Sequence, residues 1–298
     1  MDAVLIENLT KYYGKTPGIR DLNLSVKEGE FFGFIGPNGA GKSTTIRTLL
    51  GLIKPTSGQA KILGMDIQKE QNKILSLTGY LPAEAAFYSG MKVKDVLKFS
   101  AALRRKDCSQ EAAALCQRLC LDPDRKVEEL SFGNRKKVSI VSALMHDPPL
   151  LILDEPTSGL DPLMQHEFFS ILREKNRKGT TIFLSSHILS EIQQNCHRAA
   201  IIREGRLIAC DSVEALSKTN AKRIVIQGKV SLSELKGVRS AIQTEQGVSF
   251  LYSGKIPVLL ETLAKSLITD LTITDPDLEE IFMHYYQEEE KGYDDHHA

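Results

Sequence analysis

Three stretches of the sequence carry residues whose types and spacing could handle a chain of phosphates. The first is GPNGAGKST, made of Gly36, Pro37, Asn38, Gly39, Ala40, Gly41, Lys42, Ser43 and Thr44, and it fits GxxxxGK[ST]. Glycines so placed let backbone N–H groups turn inward around phosphate oxygens. Lys42 then reaches the β and γ phosphates of a nucleoside triphosphate, and the Ser43 hydroxyl offers a ligand to Mg2+. The second stretch is LLILDEP, in which four apolar residues carry Asp154 and Glu155 to the end of a buried strand. Asp154 there would hold Mg2+ through water, and Glu155 is placed to polarise an attacking water as general base, so the pattern is that of a hydrolase. The third is TTIFLSSH, which ends on His187, where a neutral imidazole contacts a γ-phosphate and orients the water.

These residues need a scaffold that brings strand ends together. FFGFIG (31–36), LLILD (150–154) and TTIFLSS (180–186) read as short apolar strands separated by helical stretches, the order of an α/β protein. Open α/β sheets bind ligands at the carboxyl ends of their strands, which is where all three stretches terminate. VLIENL and DLNLSV precede the phosphate loop and suggest an antiparallel flank. KVKDVLKFSAALRR and SQEAAALCQRLCL read as two amphipathic helices with no strand between them, a helical insert over about residues 84–146. This α/β unit is expected to run over 1–218. Beyond it, 219–287 has a βαββαβ rhythm that suggests a small ferredoxin-like α+β appendage, with a helix at DPDLEEIFMHYY. The charged end, 288–298, is expected to be disordered.

Composition narrows the partners. Lys plus Arg and Asp plus Glu are equal at 38 each among 298 residues, so no overall field draws the chain to nucleic acid or anionic lipid. The basic run Arg135–Lys136–Lys137, without interleaved aromatics, reads as a solvated helix face, and no nucleic-acid partner is expected. No apolar run approaches the ~20 residues of a spanning helix, and Met1 opens on a strand pattern instead of a signal peptide, so a cytoplasmic location is expected. The five cysteines include no CxxC pair and read as free thiols.

Two further segments complete a pattern: LSFGN (130–134) and SGLD (158–161). With GPNGAGKST, LLILDEP and SSH they stand in the order found in the nucleotide-binding subunits of ATP-binding-cassette (ABC) transporters, which residues 3 to about 218 resemble. The resemblance implies a P-loop NTPase cassette that binds ATP and Mg2+ and hydrolyses ATP. It also implies that Ser131, Gly133 and Asn134 of one cassette close over ATP held by the phosphate loop of another, with Asp161 crossing the same interface. Tyr13 matches the aromatic that stacks on adenine, with Tyr12 beside it as the alternative. The usual glutamine is replaced by Ala83, so either Glu84 takes over at the metal or that contact is missing. Phe132 stands where the family has a glycine. The appendage resembles that of cassettes paired with separate permeases that export drugs, antibiotics, peptides or lipids. The implied partners are a second cassette, identical or not, and a membrane permease that places the chain on the cytoplasmic face of the membrane. Phe87, Tyr88 and Met91 either line the permease groove or pack on the insert. A soluble ABC ATPase is the competing reading, but paired cassettes, long coiled coils and zinc-type cysteines are all missing from the sequence.

Overall fold

The computed structural model describes residues 1–84, 86–217, 222–230, 232, 235–244, 247–264 and 266–274. The chain divides into two compact units, Met1–Val213 and Glu214–Ala298.

The first unit holds two sheets. One is antiparallel, in the order β2–β1–β4–β5, from β1 (Asp2–Tyr13), β2 (Thr16–Lys27), β4 (Ser57–Ile62) and β5 (Met65–Asp66). Its first two strands are longer than the sequence pattern marks, because the alternation continues to a turn at Gly14, whose φ of 60° suits glycine. The second sheet runs β10–β9–β3–β8–β7–β6, from β3 (Phe31–Ile35), β6 (Thr78–Leu81), β7 (Leu150–Asp154), β8 (Thr181–Ser186), β9 (Arg198–Arg203) and β10 (Arg206–Ser212). Strands β9, β3, β8, β7 and β6 are parallel, and β10 returns antiparallel on β9. Every residue of β3, β7 and β8 is buried, which explains why they read as unbroken apolar runs.

Helix α1 (Lys42–Leu49) follows β3, and Ile46 and Leu49 on it join one core with Ile6, Leu22, Phe32, Phe34 and Phe183 from the two sheets. The Phe183 ring meets Phe34 and Phe32 at 5.3 and 5.7 Å between centroids. Each such buried ring contributes about 1.5–3 kcal/mol by leaving water. Helices α2 (Gln71–Leu77), α6 (Pro162–Arg177) and α7 (Leu189–Asn195) complete the sheet's cover, and α8 (Val213–Ser217) follows β10.

The insert appears as expected: α3 (Val93–Leu103) and α4 (Ser109–Arg118), then a short 3-10 turn at Val127–Glu129 and α5 (Phe132–Leu144). Ser100 on α3 and Ser142 on α5 share a 2.8 Å hydrogen bond. Arg118 at the end of α4 donates to Glu167 and, with both terminal nitrogens, to Glu174, so a forked contact anchors the insert to α6.

The second unit contains β11 (Lys222–Lys229), β12 (Val238–Thr244), β13 (Gly247–Tyr252), α9 (Ile256–Leu263) and β14 (Leu267–Thr274). The antiparallel order β12–β13–β11–β14 is that of a ferredoxin-like sheet, and Ile224, Ile226, Phe250, Leu259 and Leu263 form its core. The expected helix around SLSELK falls partly, and the helix at 275–286 and the tail 288–298 wholly, outside the described residues.

Candidate active site

The phosphate loop spans the gap between β3 and α1. Gly41, the residue before α1, has φ 106°, and a Cβ there would lie 2.4 Å from the Gly18 carbonyl oxygen, so only glycine fits. No side chain caps α1, whose first residues line a cavity of about 390 Å3 together with Pro37, Asn38, Gly39, Tyr13, Ala83 and Glu155. Uncapped N–H groups and the positive end of the helix dipole make this a place for anions. Lys42 is 5% exposed, and its ammonium donates to the carbonyls of Gly36 (2.6 Å) and Pro37 (3.1 Å). It also stands 3.1 Å from Glu155 Oε1, an ion pair without hydrogen-bond alignment, which leaves that oxygen an unused acceptor. A buried cation, an uncapped helix start and room for a ligand together fit a polyphosphate.

Parallel pairing of β7 with β8 sets Asp154 opposite Ser185, whose hydroxyl donates to Asp154 Oδ1 at 2.8 Å in a fully buried contact. The chain then turns sharply. Glu155 has φ 49°, a left-handed conformation that costs a non-glycine residue on the order of 1 kcal/mol. Its N–H donates to the Ser185 carbonyl, and its carboxylate Oε2 lies 2.5 Å from His187 Nδ1. Lys42, Glu155 and His187 thus form one continuous polar line, from the buried ammonium to a half-exposed imidazole.

A residue that sequence reasoning missed stands behind this line. Glu191 on α7 is buried and accepts from the Ser186 hydroxyl at 2.7 Å, and Ser186 Oγ in turn accepts from the Ile188 N–H. Burial raises the Glu191 carboxyl above the usual carboxylate range. The signal was present in sequence as an acid one helical turn after His187, but its burial emerges only from the packing of α7 against β3 and β8.

The other expected residues lie elsewhere in the unit. Ser131 caps α5, its hydroxyl accepting from the Asn134 N–H at 3.3 Å, and Asp161 caps α6 by accepting from Met164 N–H at 3.0 Å. Gly133 packs on the SGLD loop: a Cβ there would lie 2.4 Å from the Gly159 carbonyl oxygen, while the Phe132 ring covers Gly159. Ser131, Gly133, Asn134 and Asp161 are absent from the lining of the phosphate-loop cavity of their own chain. Glu84 is exposed and lines a neighbouring groove of about 480 Å3 with Phe87, Tyr88, Phe132 and Lys136, so the structure does not bring it to Ser43. Ala83 does border the phosphate-loop cavity. Tyr13 also borders it, half-exposed, with the Lys11 ammonium 5.3 Å from its ring centre, whereas Tyr12 does not.

The basic run at the start of α5 corrects an expectation. Lys136 and Lys137 are 3% and 9% exposed, not a solvated face, because α5 packs against both β6 and α3. The Lys136 ammonium donates to three backbone carbonyls, those of Pro82 (3.1 Å), Ala83 (2.9 Å) and Glu155 (3.0 Å). Burial pulls its pKa down to about 8, against the opposing pull of Asp154, Glu155 and Glu84.

Comparison with known proteins places this arrangement. A family model described as "ABC transporter" matches residues 19–158. The bacitracin transport ATP-binding protein BcrA of Bacillus licheniformis is 40% identical over 227 residues, 74% of this chain and 73% of that protein. The chain belongs to the ABC transporter family. As an ABC ATP-binding subunit it binds and hydrolyses ATP, and the residues matched by the family model lie within its first unit. The linearmycin resistance ATP-binding protein LnrL of Bacillus subtilis (strain 168) is 32% identical and extends the match to 93% of this chain and 96% of that one, so the ABC likeness includes the second unit. Among solved structures, an "ATP binding subunit of ABC transporter" superposes with a TM-score of 0.68 at 30% identity, covering 72% of this chain and 91% of that one.

Proposed function

We propose that two of these ABC cassettes close face to face over two ATP molecules and drive a separate membrane permease that exports a drug, antibiotic, peptide or lipid. The observation that carries this reading is the split site. Lys42 and Glu155 line one cavity and a polar line joins them to His187, while Ser131, Gly133 and Asn134 lie outside that cavity in the same chain. A signature segment that lies outside its own phosphate cavity is free to complete the cavity of a second cassette.

In this reading the phosphate loop and Lys42 hold the β and γ phosphates, so the Lys42 ammonium exchanges the Gly36 and Pro37 carbonyls for phosphate oxygens. Glu155 takes a proton from the attacking water, and His187, fixed on the Glu155 carboxylate, contacts the γ-phosphate. Mg2+ would be held by the Ser43 hydroxyl and, through water, by Asp154, and would neutralise charge on the β and γ oxygens. Among the described residues no cluster of three His, Cys, Asp or Glu side chains exists to hold a metal by itself, which suits an ion that arrives with the nucleotide. Tyr13 stacks on the adenine. Ser131 and Gly133 contact the γ-phosphate of the partner's ATP, with Asn134 beside them and Asp161 across the interface.

The export branch is supported by the relatives, one named for bacitracin transport and one for linearmycin resistance. Among the described residues no helix is long and apolar enough to cross a membrane, so the chain reaches the cytoplasmic face of the membrane through its permease. The groove beside Phe87 and the 74% exposed Tyr88 is the surface offered to that permease. Both halves of the composite site are in one chain, so identical cassettes suffice. The test is to purify the full chain from native membranes in mild detergent. Recovery of a permease, with Mg-dependent phosphate release that Glu155→Gln abolishes, is the expected result. Recovery with ribosomes or DNA, or release equal to that of Glu155→Gln, contradicts the proposal.

A further inference from the structure

Lys136 is a buried cation with no part in the roles just assigned. It sits on α5, one and a half turns from the Ser131 cap, and its ammonium reaches two segments far from it in sequence. One is the turn after β6, through the carbonyls of Pro82 and Ala83, and the other is the residue after β7, through the carbonyl of Glu155. The same turn leads into the groove lined by Glu84, Phe87 and Tyr88, and Ala83 itself borders the phosphate-loop cavity. Ala83 has no side chain able to reach anything across that cavity. Beyond the last paired residues of β6 and β7, Leu81 and Leu153, the Lys136 ammonium joins the two backbones and so offers a route from the groove to the reacting end of the sheet.

The Glu155 end of this contact is the demanding one. Glu155 is in a left-handed conformation and is held from both sides, its N–H by the Ser185 carbonyl and its carbonyl by Lys136. A strained residue persists only where its surroundings over-determine it. Freeing the carbonyl lets the peptide relax and the carboxylate swing, and a displacement of about 1 Å at a catalytic group can cost roughly 100-fold in rate.

We propose that Lys136 is a positioning residue for ATP hydrolysis: its ammonium ties the turn that opens the helical insert to the backbone of Glu155, so that movement at the groove is felt at the general base. The proposal rests on Glu155 acting as that base. It assigns Lys136 no contact with ATP, so nucleotide affinity is independent of it.

The experiment measures phosphate release and binding of a fluorescent ATP analogue with the full chain and its Lys136→Met and Lys136→Gln variants. Methionine fills the space and donates nothing, whereas glutamine keeps two N–H donors without charge. For Lys136→Met the expected result is a fall in kcat of roughly 10- to 100-fold, with the analogue's Kd unchanged. Lys136→Gln is expected to recover most of that loss. Amide exchange gives an independent readout: ATP slows exchange across residues 86–89 in the native chain and fails to do so in Lys136→Met. Unchanged kcat, a parallel loss of kcat and affinity, or a glutamine variant as impaired as methionine would each overturn the proposal. If Lys136→Met does not fold, the same comparison is made with Lys136→Ala, which leaves room for water at the three carbonyls. A Glu155→Gln variant that still hydrolyses ATP would instead overturn the assignment of the base.

Discussion

Acid should unfold the cassette partly through one histidine. His146 follows α5, is 4% exposed, and has no hydrogen-bond partner on either ring nitrogen; the Thr78 backbone comes near the ring without hydrogen-bond geometry. Burial, together with the nearby cations Arg104, Lys106 and Lys175, holds its pKa at about 4 instead of 6.5. Between those values the unfolded chain binds a proton that the folded chain refuses. The stability contributed by the neutral ring is therefore complete above pH 6.5 and is lost progressively as pH falls towards 4. At about 1.4 kcal/mol per pH unit, the loss is roughly 3 kcal/mol. Urea unfolding followed by circular dichroism, on the native chain and on His146→Leu, isolates this contribution from the other groups that titrate in acid. The native chain should lose about 3 kcal/mol more than the variant between pH 7 and pH 4, which corresponds to a further fall of roughly 6–12 °C in Tm for a unit of this size. Parallel stability curves for the two proteins would refute the reasoning.

Three further substitutions address the site. Gly133→Ala places a methyl group 2.4 Å from the Gly159 carbonyl oxygen, so the signature turn and the SGLD loop must separate. Overpacking of this kind costs about 1–3 kcal/mol; the melting temperature should fall and phosphate release should drop at least tenfold, while ATP titration of the isolated chain is unchanged. Tyr13→Ala should weaken ATP binding by roughly fivefold or more, since base–aromatic stacking contributes about 1–3 kcal/mol, and Tyr12→Ala should leave it unchanged because Tyr12 does not border the cavity. Nucleotide titration of both tyrosine variants checks this.

How much of this was legible in sequence depended on the kind of burial involved. Strands β3, β7 and β8 are covered on both faces, so their apolar runs announced them, and parallel pairing then fixed where Asp154, Glu155 and His187 would emerge. The phosphate loop was equally plain, because its glycines answer to backbone geometry that any sequence must respect. The β9–β10 hairpin was less visible, since it mixes apolar and charged residues within each strand. Lys136 and Lys137 misled for a different reason: charge composition suggests a wet surface, whereas their burial is decided by β6 and α3 packing against α5. Glu84 shows how fine the limit is. Ala83 borders both the phosphate-loop cavity and the neighbouring groove, whereas Glu84, a single step along the turn, lines the groove alone, and nothing in the sequence specifies where that turn bends.

The proposed composite site makes the meeting of two cassettes depend on ATP. Sedimentation velocity of the Glu155→Gln chain, which should retain ATP without consuming it, reads that dependence across micromolar to roughly 100 µM protein, where a permease would normally raise the effective concentration. In MgATP the account predicts a dimer holding one ATP per chain, absent in ADP and absent when Ser131→Arg is added to the same chain. A species that stays monomeric in saturating MgATP, or a dimer indifferent to nucleotide and to Ser131, would contradict it.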